Sequence, residues 1–183
     1  MKADFINPFL SATLSALVDL AGMSAVEPGK PSLKLGEQAS GILTSIIDMR
    51  GTPVYGSYAV NFSQPLLDEI SKRIFAEELK RGAHPLILAK DFVGEFANIV
   101  CGRAKDSLSR RGFAFGLATP RVISGKDHKV AHAVNGPVLQ VPFTSQWGEF
   151  TVETSFCHAD HYYAPNTGIG ANSEIYEQRR AVA

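Results

Sequence analysis

Three polar residues stand at the spacing of one helical face: Asp91, Glu95 and Asn98, in the run Asp91-Phe92-Val93-Gly94-Glu95-Phe96-Ala97-Asn98. At about 100° per residue they lie within roughly 60° of one another, while Phe92, Phe96 and Ile99 fall on a different face. A carboxylate and a carboxamide one turn apart, backed by an aromatic stripe, form a tool that can enter another molecule's active site. The carboxylate accepts hydrogen bonds and pairs with cations, and the carboxamide both donates and accepts. Gly102 extends the same face by one turn and leaves the approach clear.

Each of these residues also has an ordinary reading. Glu-x-x-Asn occurs on many solvated helix faces, Asp91 suits a helix N-cap, and Gly94 and Gly102 suit close helix packing. The other chemical groupings are weaker. Cys157-His158-Ala159-Asp160-His161 has metal-ligand residue types, and a metal-dependent enzyme built on it is a rival reading, but its spacing matches no zinc template. His128 and His132 share a face only on a helix, and Gly125 and Asn135-Gly136 argue for loop or strand there. Neither Gly-x-Ser-x-Gly nor a phosphate loop is present. No metal site is expected on this chain.

The elements that must position the stripe follow from periodicity. Asn7 to Gly22 reads as an amphipathic helix, with Ile6, Phe9, Leu10, Leu14, Leu17 and Leu20 on its apolar side and Pro8 in its first turn. A short strand at Ser32–Leu35 precedes strands over Gly41–Arg50 and Val54–Phe62, joined by a turn at Arg50-Gly51-Thr52-Pro53. Ser63 offers an N-cap for a helix that runs to Arg81 and stops at Gly82. The helix carrying the stripe is expected from Asp91 to Arg110, with Gly112 as its stop. Phe113–Ile123 and Pro137–Phe143 read as strands. Phe150, Val152, Thr154 and Phe156 alternate with Thr151, Glu153 and Ser155, the pattern of a strand with one buried face. Residues 159–171 read as a polar loop before a last helix from Asn172 or Ser173 to Arg180.

Asp4-Phe5-Ile6-Asn7-Pro8-Phe9 echoes Asp91-Phe92-Val93-Gly94-Glu95-Phe96, and each copy opens a helix followed by strands and another helix. The expected organisation is a single domain over residues 3–183, built from two αβββα halves at about 3–86 and 90–183. In the first copy Pro8 and Ser11 stand where Glu95 and Asn98 stand, so one half alone keeps the acid–amide pair.

Composition narrows the class. With 183 residues and 45% hydrophobic content the chain can bury a sizeable core. Lys plus Arg and Asp plus Glu each number 18, so no global field favours nucleic acid or an anionic membrane. Arg103, Lys105, Arg110 and Arg111 read as a solvated helix end. Asp4, Asn7, Pro8 and Asp19 interrupt the apolar start of the chain, which argues against a secretory signal. No run of about 18 apolar residues suggests a membrane span. A cytoplasmic protein is expected, with Cys101 and Cys157 as free thiols.

The Asp91-x3-Glu95-x2-Asn98 pattern, with Pro120 some twenty residues on and the opening Phe5-Ile6-Asn7-Pro8-Phe9-Leu10, resembles the CheC/CheX/FliY phosphatases of bacterial chemotaxis, CheX in particular. The resemblance covers about residues 3–158. It implies an α/β (α+β type) fold with an antiparallel sheet flanked by helices, a homodimer, and a phosphatase acting on the aspartyl phosphate of a CheY-like response regulator of two-component signalling. It assigns Asn98 to orient the attacking water and Glu95 to engage the receiver's lysine, and gives Asp91, which matches the motif, no defined role; Asp91 and Gly102 are expected to bind the partner because they share that helix face. It implies no cofactor on this chain, with Mg2+ on the receiver. A non-catalytic module that docks a receiver or a flagellar-switch component is the alternative within the same family.

Overall fold

The computed structural model describes residues 3–52, 54–134 and 136–158. Their scaffold is one antiparallel sheet of eight strands. The first half of the chain supplies β1 (Glu27–Pro28), β2 (Ser32–Leu33), β3 (Leu43–Thr52) and β4 (Val54–Phe62); the second supplies β5 (Ala114–Leu117), β6 (Arg121–Ser124), β7 (Val138–Ser145) and β8 (Gly148–His158). The order across the sheet is β1-β7-β8-β4-β3-β5, with β2 also on β7 and β6 also on β3. Exchanging the halves, β1 for β5 through β4 for β8, leaves that order unchanged when read from the opposite edge. The two halves meet at β4 and β8, where Tyr58 lies opposite Thr154.

The helices are α1 (Ala3–Ala21), α2 (Gln64–Ile74), α3 (Ala76–Lys80) and α4 (Pro85–Ser109). The core lies between α1, α4 and one face of the sheet. Leu43, Ile47, Tyr58, Val60, Phe62, Val141, Phe143, Phe150 and Val152 rise from the strands to meet Phe9, Ala16 and Leu17 of α1 and Phe92, Val93, Phe96, Ala97 and Val100 of α4. Aromatic rings dominate its centre: Phe62 sits edge-on to Phe96 at 5.4 Å and to Phe92 at 6.0 Å, and Phe143 stacks on Phe150 at 4.6 Å.

Several elements differ from their sequence readings. α1 begins at Ala3, which places Pro8 inside the helix instead of in its first turn. The extra turn forms because Phe5 is a core residue, with ring centroids 5.2 Å from Phe113 and 4.6 Å from Phe156. The helix expected over Ser63–Arg81 breaks at Phe75 (φ −120°, ψ 23°) into α2 and α3. Ser63 does stand at the N-cap, yet its hydroxyl caps nothing and accepts instead from the Glu149 amide at 3.1 Å, tying α2 to β8. Gly51 belongs to β3 rather than to a free turn, because β5 crosses so closely that a Cβ there would collide with the Ala114 carbonyl oxygen. The strand expected over Phe113–Ile123 is two strands, β5 and β6, separated at Ala118–Pro120.

β8 is the largest departure. Its expected solvent face is buried: Glu153 and Ser155 are 0% exposed. The segments around Lys34 and residues 125–134 lie over that face. Cys101 and Cys157 are free, and burial pushes both thiols above their ordinary range. Among the described residues no helix is long and apolar enough to cross a membrane. The polar loop and last helix expected after His158, with Ala159, Asp160 and His161 of the Cys/His cluster, lie outside the described residues.

Candidate functional site

α4 carries the acid–amide stripe. His84 caps it, its backbone extended (φ −74°, ψ 121°) and its ring Nδ1 accepting from the Leu86 amide at 3.3 Å, and Pro85 occupies the first turn. The helix therefore starts six residues before the expected Asp91, which is not its cap but a mid-helix residue. At the other end Gly112 takes φ +87°, the stop expected of it.

The helix is strongly two-sided. Phe92, Val93, Phe96, Ala97, Val100 and Cys101 are buried, while Asp91, Glu95 and Asn98 are exposed. The three polar residues share one face because their positions repeat at four and three residues, and the aromatic anchors between them fix the roll of the helix on the sheet. Among the described residues, none makes a side-chain hydrogen bond or ion pair with Asp91, Glu95 or Asn98. Their polar atoms keep their full bonding capacity for a second molecule. Glu95 and Asn98 sit on a 25-residue helix rather than a loop, so little ordering entropy separates the free from the docked form.

Gly102 is half-buried on the same stripe, and a Cβ built there would meet nothing within 4 Å. Internal packing therefore does not demand glycine at 102. A Cβ on Gly94 would touch Val122 Cγ2 of β6 at 3.5 Å, an ordinary contact. Pro120 is half-buried just before β6, the strand beneath this side of α4. Arg103 is not simply solvated, as the sequence reading had it. It pairs with Asp19 Oδ2 at 2.8 Å and donates to Ser15 Oγ at 2.6 Å, which fastens α4 to α1.

A second polar group lies on the opposite face of the sheet, and sequence reading missed it. Glu153 receives Lys34 Nζ at 2.8 Å and Asn61 Nδ2 at 2.9 Å on one oxygen, and its other oxygen is 3.1 Å from His132 Nε2. His132 Nδ1 is 2.7 Å from Ser57 Oγ, and Thr44 Oγ1 joins Asn61 to His128 Nε2 at 2.6 Å each. Burial alone would raise the Glu153 carboxyl, but the hydrogen bonds and charges of His132 and Lys34 outweigh it and hold the group below the ordinary carboxylate range. His128 and His132 thus clamp a covering loop to the sheet. Among the described residues no group of three His, Cys, Asp or Glu side chains is placed to hold a metal ion. The alternation of polar residues in β8 was visible in sequence; what covers them depends on contacts more than 100 residues apart, such as Lys34 to Glu153.

Residues 43–144 match the family described as chemotaxis phosphatase CheX. Among solved structures, a CheC-like superfamily protein from Shewanella sp. PV-4 is 38% identical, with 86% of this chain and 99% of that one covered and a TM-score of 0.75. The chemotaxis protein CheX of Vibrio vulnificus is 37% identical over 85% of this chain and 100% of that one, also at 0.75. A CheX from Borrelia burgdorferi, solved in complex with CheY, BeF3 and Mg2+, is 25% identical over 85% and 99% of the two chains, with a TM-score of 0.67. No curated protein sequence matches.

Proposed function

Because the chain belongs to the CheX family of chemotaxis phosphatases, we propose that it hydrolyses the aspartyl phosphate of a CheY-like response regulator by inserting Glu95 and Asn98 into the receiver's active site. The observation that carries this reading is the pair itself: exposed, one turn apart on a helix rigidly packed against the sheet.

An aspartyl phosphate is a mixed anhydride and already labile. The receiver supplies Mg2+ and a lysine, so this chain needs no cofactor of its own. What remains is to place a water in line with the phosphorus. The Asn98 oxygen accepts from that water while its amide nitrogen stays neutral beside the phosphoryl oxygens. Glu95 pairs with the receiver's lysine and fixes the register of the two proteins. Asp91 and Gly102 lie on the docking face, Asp91 as a further anchor and Gly102 as clearance. The assembly expected is a homodimer working in the cytoplasm.

Phosphate loss from a phosphorylated CheY-like receiver tests the mechanism. The intact chain should accelerate it, and Asn98→Ala should remove about 2–5 kcal/mol of that acceleration, roughly 30-fold or more. Glu95→Ala should also impair it. An unchanged decay rate with the intact chain across several CheY-like receivers overturns the proposal, and binding without hydrolysis would leave a docking module in its place.

A further inference from the structure

The stripe that carries the acid–amide pair continues toward the start of α4, where it becomes apolar. Ile87 lies four residues before Asp91, eight before Glu95 and eleven before Asn98. At about 100° per residue it falls within roughly 20° of Asn98 and 40° of Asp91 around the helix. Ile87 is 60% exposed, and its neighbour Leu86, a partial turn aside, is 41% exposed. The other exposed large hydrophobics among the described residues are Val18 on α1, and Leu33 and Leu35 at the β2 edge of the sheet, away from α4.

Resting on the phosphatase reading, we propose that Ile87 is a specificity residue for the receiver: an apolar anchor that holds the partner while Glu95 and Asn98 act on its phosphoryl group. The helix rise puts Ile87 about 12 Å along the axis from Glu95 and about 16 Å from Asn98. A stable interface covers about 800 Å² on each partner, a patch of roughly 16 Å radius. A receiver centred on the acid–amide pair therefore reaches Ile87. At the other end of the stripe the same reach meets Lys105 and Asp106, both charged, so the stripe has one apolar end and one charged end. A receiver that fits must offer an apolar side chain some 12–16 Å from its phosphorylation site, on the side facing the start of α4. The polar pair alone gives little affinity in water, since its bonds replace bonds to solvent, whereas an exposed isoleucine gains by being covered.

The test compares Ile87→Ser, Ile87→Leu, Asn98→Ala and the remote control Leu35→Ser with one phosphorylated CheY-like receiver, and with the same receiver carrying beryllofluoride and Mg2+ for binding. Ile87→Ser should raise both KM and the dissociation constant by about 5- to 30-fold with kcat unchanged. Ile87→Leu should restore both, and Leu35→Ser should change neither. Asn98→Ala should show the opposite split, a fall in kcat with binding retained. Because Ile87 is exposed, the thermal transition of Ile87→Ser should match that of the parent. Unchanged KM and affinity in Ile87→Ser, or an equal loss in Leu35→Ser, overturns the inference. If the intact chain binds the receiver without hydrolysing it, the phosphatase reading fails and the dissociation constants alone decide Ile87. If it binds no receiver, both fall.

Discussion

Asn98 is a neutral group in a place where charge would matter. Asn98→Asp keeps the size of the side chain but sets a carboxylate against the phosphoryl oxygens, so under the proposed mechanism it should be at least as inactive as Asn98→Ala in phosphate-release assays. Gly102 gives a sharper test because stability and function should move in opposite directions. It sits in the helix with open space where a Cβ would go, so Gly102→Ala should stabilise the fold by about 0.5–1 kcal/mol, read as a raised melting temperature. If the glycine keeps the docking face clear, the same variant should bind the receiver more weakly. The residue types and their spacing were readable in sequence. Their role was not, because Glu-x-x-Asn looks the same on any solvated helix.

At the scale of elements, the aromatic side of α4 decides whether the stripe is presented at all. Phe96 is fully buried and packs edge-on to Phe62 of β4. Phe96→Ala should cost about 3–5 kcal/mol, measured by denaturant unfolding, and should lower activity at temperatures where the helix loosens. The 3.6-residue period of Phe92, Phe96 and Ile99 located this helix in the sequence, but not its start. His84-Pro85 is a sound opening signal, yet Leu86 and Ile87 face solvent, and two exposed apolar residues break the pattern by which a first turn is recognised. The α2–α3 break was hidden for another reason: residues 66–81 contain no glycine or proline, so nothing in the sequence marks a stop, while the backbone at Phe75 leaves the helix.

For the whole molecule, the buried Glu153 network joins β8 and β4 to the segments that cover them. Because the folded carboxyl titrates below its ordinary value of 4.5, its contribution is present above that value and is lost as pH falls through the folded value. Glu153→Gln should therefore lower stability by about 3 kcal/mol at pH 7, since it leaves the buried Lys34 ammonium without its counter-charge. Denaturant midpoints of parent and variant should converge as pH falls below 4.5 and through the folded value.

The sequence by itself determined the local matters: the acid–amide spacing, the aromatic stripe behind it, the alternating strands, and the glycines that end helices at Gly22, Gly82 and Gly112, each at positive φ. These depend on neighbours within a turn or two, and the chain prints them directly. Tertiary structure alone decided that β1 and β2 pair with β7 while β5 and β6 pair with β3, that Lys34 and His132 converge on Glu153, and that Ile87 stays uncovered beside Asp91. Those outcomes depend on which distant segments share a surface, and a side chain's burial is set by that partner rather than by its own type.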